Sequence, residues 1–187
     1  MTNTREILMQ TAEQLLRSKG YAIFSYADLA LAVGIRKASI HHHFPTKEDL
    51  GVAVVESYMA RVEDALARIE SERATTAERL DGFAALFTSG IGEGLLPLCG
   101  ALAAEMAALP EYLQALARDF LERQRRWLKK ILDDGALRGE IAPDADTGQC
   151  AHDILCQMEG ASLVNWTLDG HRVFDPGVLR RIAGLNN

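Results

Sequence analysis

The chain has 187 residues, 48% of them apolar and 25% charged, with a formal net charge of −6. That length and balance suit one ample core, or a small module on a larger helical body, and exclude a disordered chain. No apolar run reaches the roughly 18 residues that a membrane span needs, so no membrane partner is expected, and Cys99, Cys150 and Cys156 give neither a disulfide framework nor a paired CxxC metal site.

The opening MTNTREILMQ has no apolar signal core, so a reduced, cytoplasmic protein is the expectation. Charge divides unevenly along the chain. Residues 1–50 carry six basic and five acidic side chains, a net of +1, while the remainder carries 14 basic and 21 acidic, a net of −7. A near-neutral, histidine-bearing head on an acidic body permits polyanion binding by the head alone.

Every periodic segment has helical spacing, and no period-two run is bounded by hairpin turns, so an all-α fold is expected. The first helix opens at Asn3, with Glu6 as capping partner, and carries Ile7, Leu8, Ala12, Leu15 and Leu16 to a left-handed cap at Gly20. Ser25 with Asp28 caps a short second helix bearing Leu29, Ala30 and Val33. Gly34 then allows a tight turn into a third helix, from about Lys37 to His43. Pro45 breaks that helix, and Thr46 with Asp49 caps a long fourth one striped by Val55, Tyr58, Met59, Val62, Leu66 and Ile69. Further helices are expected at about 74–89, in a short stretch ending near Pro110, at 111–134, and at 146–167. A loop at Gly90–Gly94 and a break at Gly135–Pro143 separate them. The 111–134 helix has two apolar stripes, which implies neighbours on two sides.

Two short helices joined at Gly34 are how a chain places one helix in the major groove of DNA. Arg36, Lys37 and Ser39 gather at the start of the second of them, where side chains reach base edges; arginine and lysine suit the guanine O6 and N7 acceptors. Ala38 is small enough for close approach to the groove floor. His41 and His42 lie where a ring meets sugar or phosphate, and Ser25 and Lys47, at two other helix starts, are placed for phosphate. Ile40 and Phe44 face the opposite side, towards the core.

These residues resemble the N-terminal domain of the tetracycline-repressor (TetR/AcrR) family of bacterial transcriptional regulators. Gly20, Phe24-Ser25, Leu29-Ala30, Val33-Gly34-Ile35, Lys37-Ala38-Ser39-Ile40, His43-Phe44 and Thr46-Lys47-Glu48-Asp49-Leu50 carry the likeness over about fifty residues. LCGALAAEMAALP and GALRGEIAPDAD resemble later segments of many members. His41 and His42 stand where the family often has tyrosines, so an imidazole replaces a phenol there, and its protonation would raise affinity at lower pH. The resemblance implies a helix-turn-helix domain over residues 1–50 and a ligand-binding, dimerising domain over 51–187. It implies a homodimer on a near-palindromic operator in double-stranded DNA, its two C-terminal long helices pairing with their mates as a four-helix bundle. It also implies a repressor released by a small-molecule effector. Phe87, Leu102, Met106 and Trp127 are the candidate pocket residues, with Glu105 to orient a polar group.

Other constellations carry less. His41, His42 and His43 point about 100° apart on a helix and cannot converge on a metal ion, and no cofactor site is expected. Gly90–Gly94 lacks a nucleotide fingerprint. Arg118, Arg123, Arg125, Arg126, Lys129 and Lys130 read as an ion-paired face, with Asp119 and Glu122 four residues before Arg123 and Arg126. Cys99, near a helix start, admits a thiol-based redox or electrophile sensor as an alternative. No nucleophile, base and orienting group stand at interpretable spacing for an enzyme. A helical interaction protein without DNA binding is the rival of a different class.

Overall fold

The computed structural model describes residues 3–88, 95–168 and 174–185, and every regular element within them is a helix. In chain order these are α1 Thr4–Lys19, α2 Tyr26–Val33, α3 Lys37–His43, α4 Lys47–Glu72, α5 Thr76–Thr88 and α6 Leu98–Ala104, then α7 Glu111–Leu137, α8 Thr147–Thr167 and α9 Gly177–Ile182. A 3-10 turn, Met106–Ala108, joins α6 to α7. The glycine loop expected at Gly90–Gly94 lies outside the described residues.

The chain divides into two compact units. One comprises the described residues up to Ala60 with Leu95–Phe120; the other takes those from Arg61 to Thr88 and from Leu121 onward.

Local chemistry sets the boundaries in the first unit. Asn3 and Glu6 form a reciprocal capping box at the start of α1, and Ser25 and Asp28 form another at α2. The Thr46 hydroxyl accepts from the Asp49 amide at 3.0 Å, while Asp49 Oδ2 accepts from the Thr46 amide at 2.9 Å. Gly34 has φ 74 and ψ 31, the left-handed conformation that a side chain disfavours. Gly20 differs from expectation: its φ is +84, but its ψ of 165 is extended rather than left-handed helical. The positive φ itself calls for glycine, since L side chains rarely adopt it, and a Cβ there would also crowd the Glu105 carboxylate.

Leu8, Ala12 and Leu16 bury one face of α1, whereas Ile7 stays partly exposed. α1 packs against α2 and α6, and α2 against α3. Gly51 lets α4 approach α7, since a Cβ there would stand 3.0 Å from a Leu113 methyl.

In the second unit Leu80, Phe83, Leu128, Ile131, Leu132, Ala151, Ile154 and Leu179 are fully shielded and form one apolar cluster with their neighbours. α7 buries Leu128, Ile131 and Leu132 in this unit and Leu113 and Phe120 in the first, so residues of both its apolar stripes are used within the protomer. Gly135 does not break α7, which continues to Leu137; the glycine is buried where a Cβ would run into the Thr76 hydroxyl. The short α9 was not expected from the sequence. It is held by Leu179 in the core and by Arg180, which forks onto Asp81 of α5. The outer face of α7 is ion-paired. Glu122 pairs with Arg125 at 2.8 Å and, at the four-residue spacing expected, lies 3.9 Å from Arg126, while Arg123 reaches Glu63 of α4 at 2.6 Å. Lys130 pairs with Glu70 of α4.

Candidate nucleic-acid interface

α3 is two-sided. Arg36, Lys37, Ala38 and Ser39 are all exposed at its start, while Ile40 is completely buried and Phe44 nearly so. Roughly 2 kcal/mol per fully buried side chain of this size fixes the underside and leaves the outer side free to meet another surface. Arg36 is the N-cap but provides no side-chain cap, so its guanidinium is not spent on its own helix.

The exit from α3 is locked by a group the sequence reading passed over. The buried Tyr26 hydroxyl lies 2.9 Å from the Phe44 carbonyl and 2.5 Å from that of Thr46, donating to this pair and tying α2 to the α3–α4 turn. Burial, with the Asp49 carboxylate second, pushes its pKa up to about 12, so it remains a donor at any working pH. His41 packs edge-on against the same ring at a centroid distance of 4.9 Å, and its Nδ1 lies 3.0 Å from the Pro45 carbonyl. That contact assigns the proton to Nδ1 in the neutral ring and leaves Nε2 outward. His42 is exposed, its ring 5.4 Å from that of His43. The Arg5 guanidinium lies 4.9 Å over the Phe44 ring, closing the corner from α1.

Ser25 is half-buried and already busy. Its hydroxyl donates to Asp28 Oδ2 at 2.6 Å and accepts from the Ala27 amide at 3.2 Å. Those bonds, chiefly the one from Ser25, hold the Asp28 carboxyl below its usual range, so it is ionised beside any phosphate placed there. Lys47 is also partly committed: its ammonium lies 4.5 Å from the Tyr21 ring centroid and 4.7 Å from that of Phe24. Burial lowers its pKa, with Glu105 and Asp28 opposing that shift.

The five pocket candidates do not share one unit. Leu102, Glu105 and Met106 belong to the first, Phe87 and Trp127 to the second. Leu102 is buried; Met106 is half-buried. The Glu105 carboxylate accepts from the Ala22 amide at 3.0 Å, fastening the end of α6 to the α1–α2 corner. Arg17 makes a second such latch, donating from Nε to the Leu96 carbonyl at 2.7 Å while the Leu96 amide donates back to the Arg17 carbonyl at 3.3 Å. In the second unit Phe83 stacks on Trp127 at 5.8 Å and meets Phe87 at 5.1 Å, forming an aromatic trio. Cys99 is buried at 3% exposure, as a small packed hydrophobe.

One polar group in the second unit was missed altogether. Glu159 of α8 has both carboxylate oxygens buried and without a hydrogen-bond partner. An acidic residue set between Leu155, Met158 and Ser162 on a core-facing helix was the available signal.

Comparison with known proteins agrees with this geometry. Residues 8–54 match the family described as bacterial regulatory proteins, tetR family, and residues 73–185 match a tetracyclin repressor-like C-terminal domain. The transcriptional regulator AcuR of Cereibacter sphaeroides is 28% identical over 165 residues, covering 83% of this chain and 73% of its own. The HTH-type transcriptional repressor DhaR of a Mycobacterium species is 26% identical, covering 87% and 82%. A TetR transcriptional regulator from Legionella pneumophila, solved by crystallography, is 31% identical with a TM-score of 0.82, over 98% of this chain and 95% of that one.

Proposed function

The chain belongs to the tetracycline-repressor family and is a DNA-binding transcriptional regulator, and on that premise we propose that it is a homodimeric repressor released from its operator by a small molecule. One observation carries the DNA-binding half: four outward residues, Arg36, Lys37, Ala38 and Ser39, on a helix whose underside is locked by Ile40, Phe44 and the Tyr26 hydroxyl. Arg36, Lys37 and Ser39 read base edges, and Ala38 allows close approach. His41 Nε2 and His42 meet sugar and phosphate, and Ser25 and Lys47 flank the groove at the phosphates.

Two copies are needed to read a near-palindrome, with recognition helices about 34 Å apart. The surface that supports pairing is on α8. Leu163, Val164 and Trp166 are between 43% and 55% exposed, and Gly160 on the same helix faces open space. The outward side chains of α7 between Glu122 and Lys130 are mostly charged, so α8 rather than α7 leads the proposed interface. Residues 1–50 act as the reading head and 51–187 as the regulatory and dimerising part, in the cytoplasm. The effector binds better to a conformation whose heads misfit the operator and so drains the DNA-bound population. Phe87 and Trp127 line its site.

An electrophoretic shift with the DNA flanking its own gene tests this reading. A retarded, dimer-stoichiometric band that competitor DNA of unrelated sequence fails to displace is expected. Displacement by any DNA alike would count against an operator-specific repressor, and no retarded band at all would leave only the helical interaction protein without DNA binding.

A further inference from the structure

The interior of the second unit contains a charge that the chain itself does not compensate. Glu159 lies on α8 one turn from Leu155 and from Ser162, both buried, and neither carboxylate oxygen meets solvent or a donor. Burial raises its pKa to about 7, with no charged neighbour contributing. Other ionic groups of the unit have an opposite charge beside them. Arg79, although its Nη1 is buried without a hydrogen bond, donates to the Arg73 and Glu70 carbonyls through Nε and Nη2 and lies 3.8 Å from Asp134, and Arg180 forks onto Asp81. A carboxylate offers about four acceptor positions, and leaving all of them empty in a core is costly, whereas an apolar side chain of similar volume would cost nothing.

We infer that Glu159 anchors the effector, and that the effector is a small organic cation: an apolar body carrying an ammonium group. The inference rests on the regulatory reading of the second unit. An ammonium supplies both the opposite charge and the N–H donors that the two oxygens lack. The apolar body suits the Phe83, Phe87 and Trp127 trio, which packs in the same cluster as Leu155 and Met158 beside Glu159. Aromatic faces attract a cation as well. An anionic ligand would be repelled by the same carboxylate, so the site discriminates by charge before shape.

Thermal melts of the full-length protein at pH 8 test the assignment, with hexylamine and benzyltrimethylammonium as probes and hexanoate and phenylacetate as matched anions. The ammonium probes should raise the wild-type Tm saturably and the anions should not. Glu159→Gln should weaken the apparent affinity about tenfold or more, with Glu159→Asp between the two. A wild-type response no larger to the ammonium probes than to the anions, or an equal response in Glu159→Gln, overturns the anchor. Gel shifts with the gene-flanking DNA on the same samples separate the two readings. Intact DNA binding without an ammonium response removes the anchor alone, whereas absent DNA binding counts against the regulator reading.

Discussion

Replacing Glu159 by glutamine should make the protein more stable, and only above mildly acidic pH. The side chain keeps its shape and loses its charge. In the unfolded chain this carboxyl titrates near 4.5, and in the fold burial raises it to about 7. Below pH 4.5 it is protonated in both states and costs no charge burial. As pH rises the unfolded chain ionises first, so stability falls between about 4.5 and 7 and the full penalty is present above 7. The difference corresponds to about 3 kcal/mol. For a chain of this size that is roughly 6–12 °C in Tm. Melts of wild type and Glu159→Gln at one protomer concentration, at pH 5 and pH 8, give the comparison. The variant's advantage should be small at pH 5 and near its maximum at pH 8. An equal difference at both pH values would mean that the carboxylate finds a partner or water in solution, and would refute the reasoning.

Three further outcomes follow from the same structure. Lys37→Ala should change which bases are preferred at one position of each half-site, read by competition among single-base operator variants, and uniform weakening would count against a base contact. Tyr26→Phe leaves the Phe44 and Thr46 carbonyls without their shared donor and should cost about 1–3 kcal/mol in urea unfolding, with operator affinity falling but base preference unchanged. Maleimide labelling followed by peptide mass spectrometry should modify the exposed Cys156, whose Sγ is 3.5 Å from His152 Nε2, well before the buried Cys99. Prior labelling of Cys99 would revive the thiol-sensor alternative.

The reading head was largely legible because its signals are local. The pairs Asn3 with Glu6, Ser25 with Asp28 and Thr46 with Asp49 are each three residues apart, and each cap forms. Gly34 needed only its own backbone to be readable. What was not legible depends on distant partners. The Arg17–Leu96 latch spans 79 residues and ends on a backbone carbonyl, and the Glu105–Ala22 latch spans 83 and ends on an amide, so neither leaves a pattern of side-chain types. Gly135 looked like a helix break because glycine usually is one; here it serves the approach of Thr76. α9 has six residues, too few for a period to show. Glu159 carries an acidic name in a row of core positions, and only the packing around it shows that it stays buried.

Selection of bound sites from random double-stranded DNA by the purified protein tests the central claim most directly. Two inverted half-sites whose centres lie about one helical turn, ~10 base pairs, apart are the predicted result, lost when Arg36 and Lys37 are both replaced by alanine. Recovery of no common sequence, or of the same sequences by the doubly substituted protein, would contradict the assignment of the outward face of α3 as the reading surface.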